Sequence, residues 1–258
     1  DVRLSTLPGT HGESVVMRLL SQQGGLRSLD HIGMPPEMLR RYRDILHQSS
    51  GMILVTGPTG SGKTSTLYAS LAELNSEAVK IITVEDPVEY RLNGITQVQI
   101  NDKIELDFAN ILRATLRQDP DVILLGEIRD SETAEIGLRA AITGHMVLST
   151  LHTRDARSVL PRLQSLGIEQ ELLESCLLCV SSQRLVRMCC VSCKDLLLNQ
   201  QSNQSLELCT ACHGKGYSGR IGIHEVLSVE QVLDASLTYV SMIEAGQHYI
   251  NSGLIDQA

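Results

Sequence analysis

Three groups of residues in this sequence have the types and spacing to do chemistry. Residues 57–64 read GPTGSGKT, a complete G-x-x-x-x-G-K-[ST] pattern. Gly57, Gly60 and Gly62 free the backbone to turn its N–H groups toward phosphate oxygens, Lys63 reaches the terminal phosphates, and the Thr64 hydroxyl suits Mg²⁺. Pro58, Thr59, Ser61 and Ser65 complete the expected cradle. The second group is acidic. VILLGEIRD, 122–130, runs four apolar residues into Gly126 and then sets Glu127 where a buried strand should stop, while ITVEDPVEY, 82–90, gathers Glu85, Asp86 and Glu89 around Pro87. An unpaired acid inside a strand is costly, so Glu127 belongs at an open strand end facing an ion or solvent. Beside a phosphate loop, such an acid serves the metal and the attacking water. The 85–89 cluster suits orientation of that water, although acids after a strand also serve simply to solubilise a turn. His145 and His152 bracket a further strand in TGHMVLSTLHT, 143–153, where either could touch phosphate, steady a subunit contact or be structural. The third group is Cys190, Cys193, Cys209 and Cys212 in C-x2-C-x15-C-x2-C, two knuckles able to present four thiolates to a tetrahedral Zn²⁺. Four protein ligands leave no open position, so such a site is structural. Cys176 and Cys179 repeat the C-x2-C spacing, but in an apolar stretch read as helical, with no turn former; they are expected to be core thiols.

Positioning these groups requires strands that end together. The apolar run 51–56 leads into the glycine-rich loop, and TSTLYASLAELN follows as a helix without a breaker. Further strand-like runs lie at 80–86, 96–100, 121–128 and 145–152, separated by helical segments, which predicts a doubly wound α/β sheet. Asp107 is placed to cap a helix whose Phe108, Ile111, Leu112 and Leu116 share one face, with Arg113 and Arg117 together on another. The next helix, 131–142, has Glu132 and Glu135 near its start and Gly144 beyond its end. A Pro-Gly turn and a β-like run precede the glycine pair 24–25, where a domain boundary is expected. The polar stretch 199–205 reads as loop.

Composition narrows the classes. A chain of 258 residues with 42% hydrophobic content can bury a sizeable core. Its 30 acidic and 22 basic residues give a net charge of −8, which disfavours a nucleic-acid backbone as partner. No apolar run approaches the ~18 residues of a membrane span and no secretion signal opens the chain, so a cytosolic location with cysteines as thiols or metal ligands is expected. The first segment reads as the inside of a domain and lacks an initiator Met, so further sequence upstream is expected.

The segments GPTGSGKT, ITVEDPVEY, VILLGEIRD and TGHMVLSTLHT, in that order, resemble the Walker A motif, Asp box, Walker B motif and His box of the type II secretion and type IV pilus assembly ATPases; SQRLVR, 182–187, is also similar to that family. The resemblance implies a RecA-like P-loop NTPase core at 25–258 carrying a zinc-binding tetracysteine submodule at about 186–220. Residues 1–24 would be the end of a preceding domain and its linker. It implies that Lys63 and Thr64 hold phosphate and Mg²⁺, that Glu127 is the Walker B acid, that Glu89 is the general base, and that His152 with His145 carries the His-box role. Arg3 and Arg18 match places from which family arginines approach the nucleotide, with Arg113, Arg117 and Arg129 as further candidates. The implied protein is a hexameric motor on the cytoplasmic face of the inner membrane. It would hydrolyse ATP and work with a membrane platform protein and cytoplasmic assembly proteins. The spacer between the cysteine knuckles is short for the family, and the tail from Leu227 follows its pattern poorly. The alternatives are a retraction motor, whose family members generally lack the cysteines, a RecA-like DNA translocase or helicase, or a zinc-built interaction module that switches partners. A translocase should display basic loops and stacking aromatics, and this chain has no Trp and one Phe.

Overall fold

The computed structural model describes residues 2–19, 27–104, 106–194 and 209–256. The expected domain boundary at 24–25 and the loop 199–205 lie outside them. Strands β1 (Val2–Gly9) and β2 (Gly12–Leu19) form an antiparallel hairpin. Pro8 and Gly9, read as a turn, end β1; the chain reverses at Thr10 and His11, where Gly12 at φ +125° takes a conformation closed to most side chains.

Helix α1 (Pro36–Leu46) buries Leu39, Tyr42 and Leu46 and leads into β3 (Gly51–Thr56). There follow α2 (Lys63–Leu74), β4 (Ile81–Glu85), β5 (Thr96–Gln99), α3 (Phe108–Thr115), β6 (Val122–Leu125), α4 (Ser131–Ile142) and β7 (Met146–Leu151). Next come α5 (Val159–Ser165), α6 (Gln170–Cys176), β8 (Leu177–Cys189), β9 (Tyr217–Ser228), α7 (Val229–Leu233) and α8 (Met242–Asn251). Seven strands form one sheet in the order β5-β4-β6-β7-β3-β8-β9, parallel throughout except for the antiparallel β8–β9 pair. Strands β3, β4, β6 and β7 are buried along their whole length, as continuous apolar runs must be when helices cover both faces of a parallel sheet. Two hydrophobic clusters, one on each face, share alternate residues of these strands: Met52 and Leu54 on one side, Ile53 and Val55 on the other.

The helix signals act as read. Asp107 accepts a hydrogen bond from the Asn110 N–H and caps α3 as expected; α4 is capped by Asp130, not singled out from the sequence, which accepts from the Thr133 N–H. Phe108, Ile111 and Leu112 are buried and Leu116 packs against the same core. One expectation fails. The apolar stretch around Cys176 and Cys179 is not a continuous helix: α6 ends at Cys176, and Cys179 sits inside the thirteen-residue strand β8. Pairing with β3 on one side and β9 on the other overrides the helical character of LLESCLLC. Both thiols are nonetheless core residues, pushed up to about 11 and about 12 by burial. Among the described residues no helix is long and apolar enough to cross a membrane.

Candidate nucleotide site and tetracysteine cluster

Parallel strands point their carboxyl ends the same way, so whatever follows them collects along one edge. Here β3 delivers the glycine-rich loop, β4 ends at Glu85, β6 is followed by Gly126 and Glu127, and β7 is followed by His152. These residues line a cavity of about 790 Å³, within the usual range for a small-molecule site. Thr59, Gly60, Gly62, Lys63, Thr64 and Ser65 supply its floor, and Glu85, Asp86, Glu89, Glu127 and His152 its polar wall.

The loop is shaped by close backbone approach. A Cβ at Gly57 would stand 2.5 Å from the Gln183 carbonyl oxygen, and φ there is +142°, so only glycine fits. Gly62, at φ +92°, turns the chain into α2, whose first residue is Lys63. Pro58 and Thr59 are exposed at the loop's outer turn and Ser61 is buried beneath it. The Lys63 ammonium is folded back onto the loop, donating to the carbonyl oxygens of Gly57 at 2.8 Å and Pro58 at 3.2 Å. Burial lowers its pKa, opposed by the charge of Glu127. An anion on the loop would offer this ammonium better acceptors than two neutral carbonyls.

Glu127 is 19% exposed and is paired with Arg129, while His152 Nε2 stands 3.4 Å from its other oxygen. Arg129 also reaches Asp86 at 3.3 Å, and its pKa is raised, first by the hydrogen bond to Glu127. The acids from β4 and β6 are therefore linked through one guanidinium.

Not every candidate converges here. His145 lies at the opposite end of β7 from His152, about 20 Å away for a strand of that length. Its Nδ1 is 2.9 Å from the Ala140 carbonyl at the end of α4, and it does not line the cavity. The two histidines of one motif are thus separated by the strand between them. Arg113 pairs with Glu132 of α4 and Arg117 donates to the Arg113 carbonyl, both outside the cavity lining. Arg3 and Arg18 are register partners across the β1–β2 hairpin; their side chains are outside the described residues.

Three participants were not singled out from sequence. Gln183 of β8 is buried, accepts from the Thr66 hydroxyl at 2.9 Å and donates to the Ser61 carbonyl at 2.8 Å, bracing the loop from behind. Arg220 of β9 and Tyr68 of α2 line the cavity. Gln183 lies within the SQRLVR segment, so a signal existed; Tyr68 sits among ordinary helix residues and carried none.

The four cysteines at 190, 193, 209 and 212 come together with all sulfurs within 4.8 Å of one another, three buried and Cys209 half-buried. The Cys193–Cys212 sulfurs are 3.6 Å apart and the Cys190–Cys209 sulfurs 3.9 Å. A tetrahedral Zn²⁺ with sulfurs at 2.3 Å requires sulfur separations of about 3.8 Å, so the donor set and its dimensions fit that ion. Burial pushes the Cys193 thiol up, whereas hydrogen bonding by the Cys212 backbone and thiol brings Cys209 down to about 7.

Residues 1–255 match the family model described as "Type II/IV secretion system protein". The chain is 52% identical over 230 residues to the type II secretion system protein HxcR of Pseudomonas aeruginosa, covering 89% of this chain and 48% of that protein. It is 48% identical over 247 residues to the type II secretion system ATPase E of Vibrio cholerae, covering 90% and 49%. The chain thus spans about half the length of these curated relatives. Among solved structures, the pilus retraction motor PilT with bound ADP is similar with a TM-score of 0.75 and 28% identity, covering 99% of this chain and 71% of that one. The ATPase DotB of Legionella pneumophila has a TM-score of 0.73 at 21% identity, covering 99% and 70%, a likeness of fold.

Proposed function

Since the chain belongs to the type II/IV secretion system protein family, we propose that it is the catalytic core of a hexameric motor that hydrolyses ATP to drive type II secretion or type IV pilus assembly from the cytoplasmic side of the inner membrane. The observation that carries this is the convergence of Lys63, Glu89, Glu127 and His152, from four different segments, on one cavity at the carboxyl edge of the sheet. The loop N–H groups and Lys63 would hold the phosphates and the Thr64 hydroxyl would hold Mg²⁺, which would supply charge neutralisation to the triphosphate. Glu127 orients the attacking water, Glu89 accepts its proton, and His152 stands toward the γ-phosphate. Arg129 leaves Glu127 as the site fills and becomes available to the phosphoryl group, where a planar guanidinium can meet developing charge. His145, from its place under α4, is assigned to holding that helix end rather than to chemistry.

Arg3, Arg18, Arg113 and Arg117 are proposed to act only across a subunit contact, completing a neighbour's site so that turnover is tied to the relative position of subunits. A platform protein in the membrane and cytoplasmic assembly proteins would receive that movement. Residues 1–24 belong to a preceding unit: a two-stranded hairpin with Val2, Leu4 and Met17 exposed is not stable alone and needs further protein against it. Residues 25–258 form the motor core, and the submodule at about 186–220 binds one structural Zn²⁺ on its four cysteines. Secretion or assembly is favoured over retraction by these cysteines, which retraction motors generally lack, and by the 52% identity to a secretion protein against 28% to a retraction motor. The test is phosphate release from Mg-ATP by the full-length protein. Lys63→Ala should abolish nucleotide binding and turnover together; a Lys63→Ala protein that binds and cleaves ATP like its parent would overturn the assignment.

A further inference from the structure

Glu85 and Tyr68 line the nucleotide cavity, but their polar atoms are engaged with each other and with neighbouring side chains. Tyr68 lies one helical turn beyond Thr64 on α2 and is 0% exposed; Glu85 ends β4 at 4% exposure. One carboxylate oxygen of Glu85 receives the Tyr68 hydroxyl, and the other receives the Thr83 hydroxyl and, at 3.2 Å, the Gln97 amide from β5. Among the described residues no cation is paired with this buried carboxylate. A carboxyl group held only by neutral donors is a costly way to fill a core, where an apolar side chain of similar size would serve packing at least as well. Its value must lie in what the donors do next.

Two of these three donors, Tyr68 and Gln97, continue into the loop that carries Glu89. The Tyr68 hydroxyl accepts from the Glu89 backbone N–H at 3.4 Å. The Gln97 amide donates to the Tyr90 carbonyl at 3.2 Å, and its oxygen accepts from the Leu92 N–H at 2.7 Å. The Tyr68 and Tyr90 rings meet edge to face with centroids 4.7 Å apart. The loop is thus pinned at residues 89, 90 and 92 to a single buried carboxylate and to the helix that begins with Lys63.

We propose that Tyr68 and Glu85 are positioning residues for hydrolysis, setting the distance between the phosphate loop and the base Glu89, and that Glu85 is itself neither base nor metal ligand. This rests on the reading of Glu89 as the base. Hydroxyl removal in Tyr68→Phe preserves the ring and its packing but releases the Glu89 backbone, and a displacement of about 1 Å at a reacting group costs on the order of 10- to 100-fold in rate. In the full-length protein, Tyr68→Phe should lower kcat by ~10-fold or more while KM for Mg-ATP stays within about twofold; loss of a donor to the buried Glu85 should also lower Tm by a few degrees, so turnover is read well below the unfolding transition. In a Glu89→Gln background the same substitution should cost nothing further, because it acts through Glu89. Gln97→Leu, on a partly exposed strand, provides the same readout should Tyr68→Phe fold poorly. Full turnover in Tyr68→Phe, or an equal proportional loss with and without Glu89, overturns the proposal. Undiminished turnover in Glu89→Gln removes its premise, while the nucleotide site itself still stands or falls with Lys63→Ala.

Discussion

Glu127 is the residue whose surroundings say most about what the site can do. It is the one acid of the cavity wall that meets both a guanidinium and an imidazole, so its charge is matched before any metal arrives. Glu127→Gln keeps the shape but removes the charge; kcat should fall by about 10²- to 10³-fold with nucleotide affinity largely retained, read by single-turnover phosphate release and by titration with a fluorescent ATP analogue. Arg113 makes the opposite case. Its partner Glu132 is exposed, so Arg113→Ala should change the unfolding free energy by less than about 1 kcal/mol. On the proposed ring arrangement, any larger effect on turnover should appear only at protein concentrations where the chain self-associates, which sedimentation and activity measured together would reveal.

At the scale of single elements, β9 and α4 have separable vulnerabilities. His224 of β9 is 1% exposed, its Nε2 is bonded to the Ile32 carbonyl at 3.1 Å and its Nδ1 has no partner among the described residues. Burial brings its pKa down to about 4 from an ordinary 6.5. The unfolded chain therefore binds the extra proton first, and the folded state loses stability as pH falls through the window from about 6.5 to 4, by roughly 3 kcal/mol in total. Denaturant midpoints should rise with pH across that window, and a His224→Leu protein should show a flatter slope. In α4, Asp130→Ala removes the cap on the Thr133 N–H and should cost about 1 kcal/mol in the same assay. Asp107, the corresponding cap on α3, was legible in advance because a cap is a local event. The strand at 177–189 was not, because its conformation is decided by the ladders on either side of it.

For the whole molecule, the cysteine cluster closes a segment that leaves β8 at Cys189 and returns at Tyr217. Metal held by four thiolates contributes its binding energy to the folded state. Treatment with a strong zinc chelator, or Cys209→Ser, should lower Tm by about 5 °C or more and increase amide exchange around residues 189–217, with one equivalent of zinc released per chain in the chelator arm. A chain from which no zinc can be recovered would remove the metal from the proposal and leave the cysteines as a packed thiol cluster.

The sequence alone determined the parts whose physics is local. Glycines spaced for a phosphate loop, a lysine and hydroxyl at its end, acids after apolar runs, caps before helices and two cysteine knuckles each express their chemistry within a few residues of themselves. The alternation of apolar runs with amphipathic helices was enough to name a doubly wound α/β sheet. Only the tertiary structure decided which of these parts meet. It placed His152 against Glu127 and left His145 at the far end of the same strand, brought Gln183 behind the loop, and drew Tyr68, Glu85 and Gln97 into one buried network. Periodicity specifies which face of an element is buried. Strand order and the pairing of buried polar groups depend on residues far apart in the chain, and nothing in the neighbourhood of Tyr68 announces that a carboxylate seventeen residues away will take its proton donor.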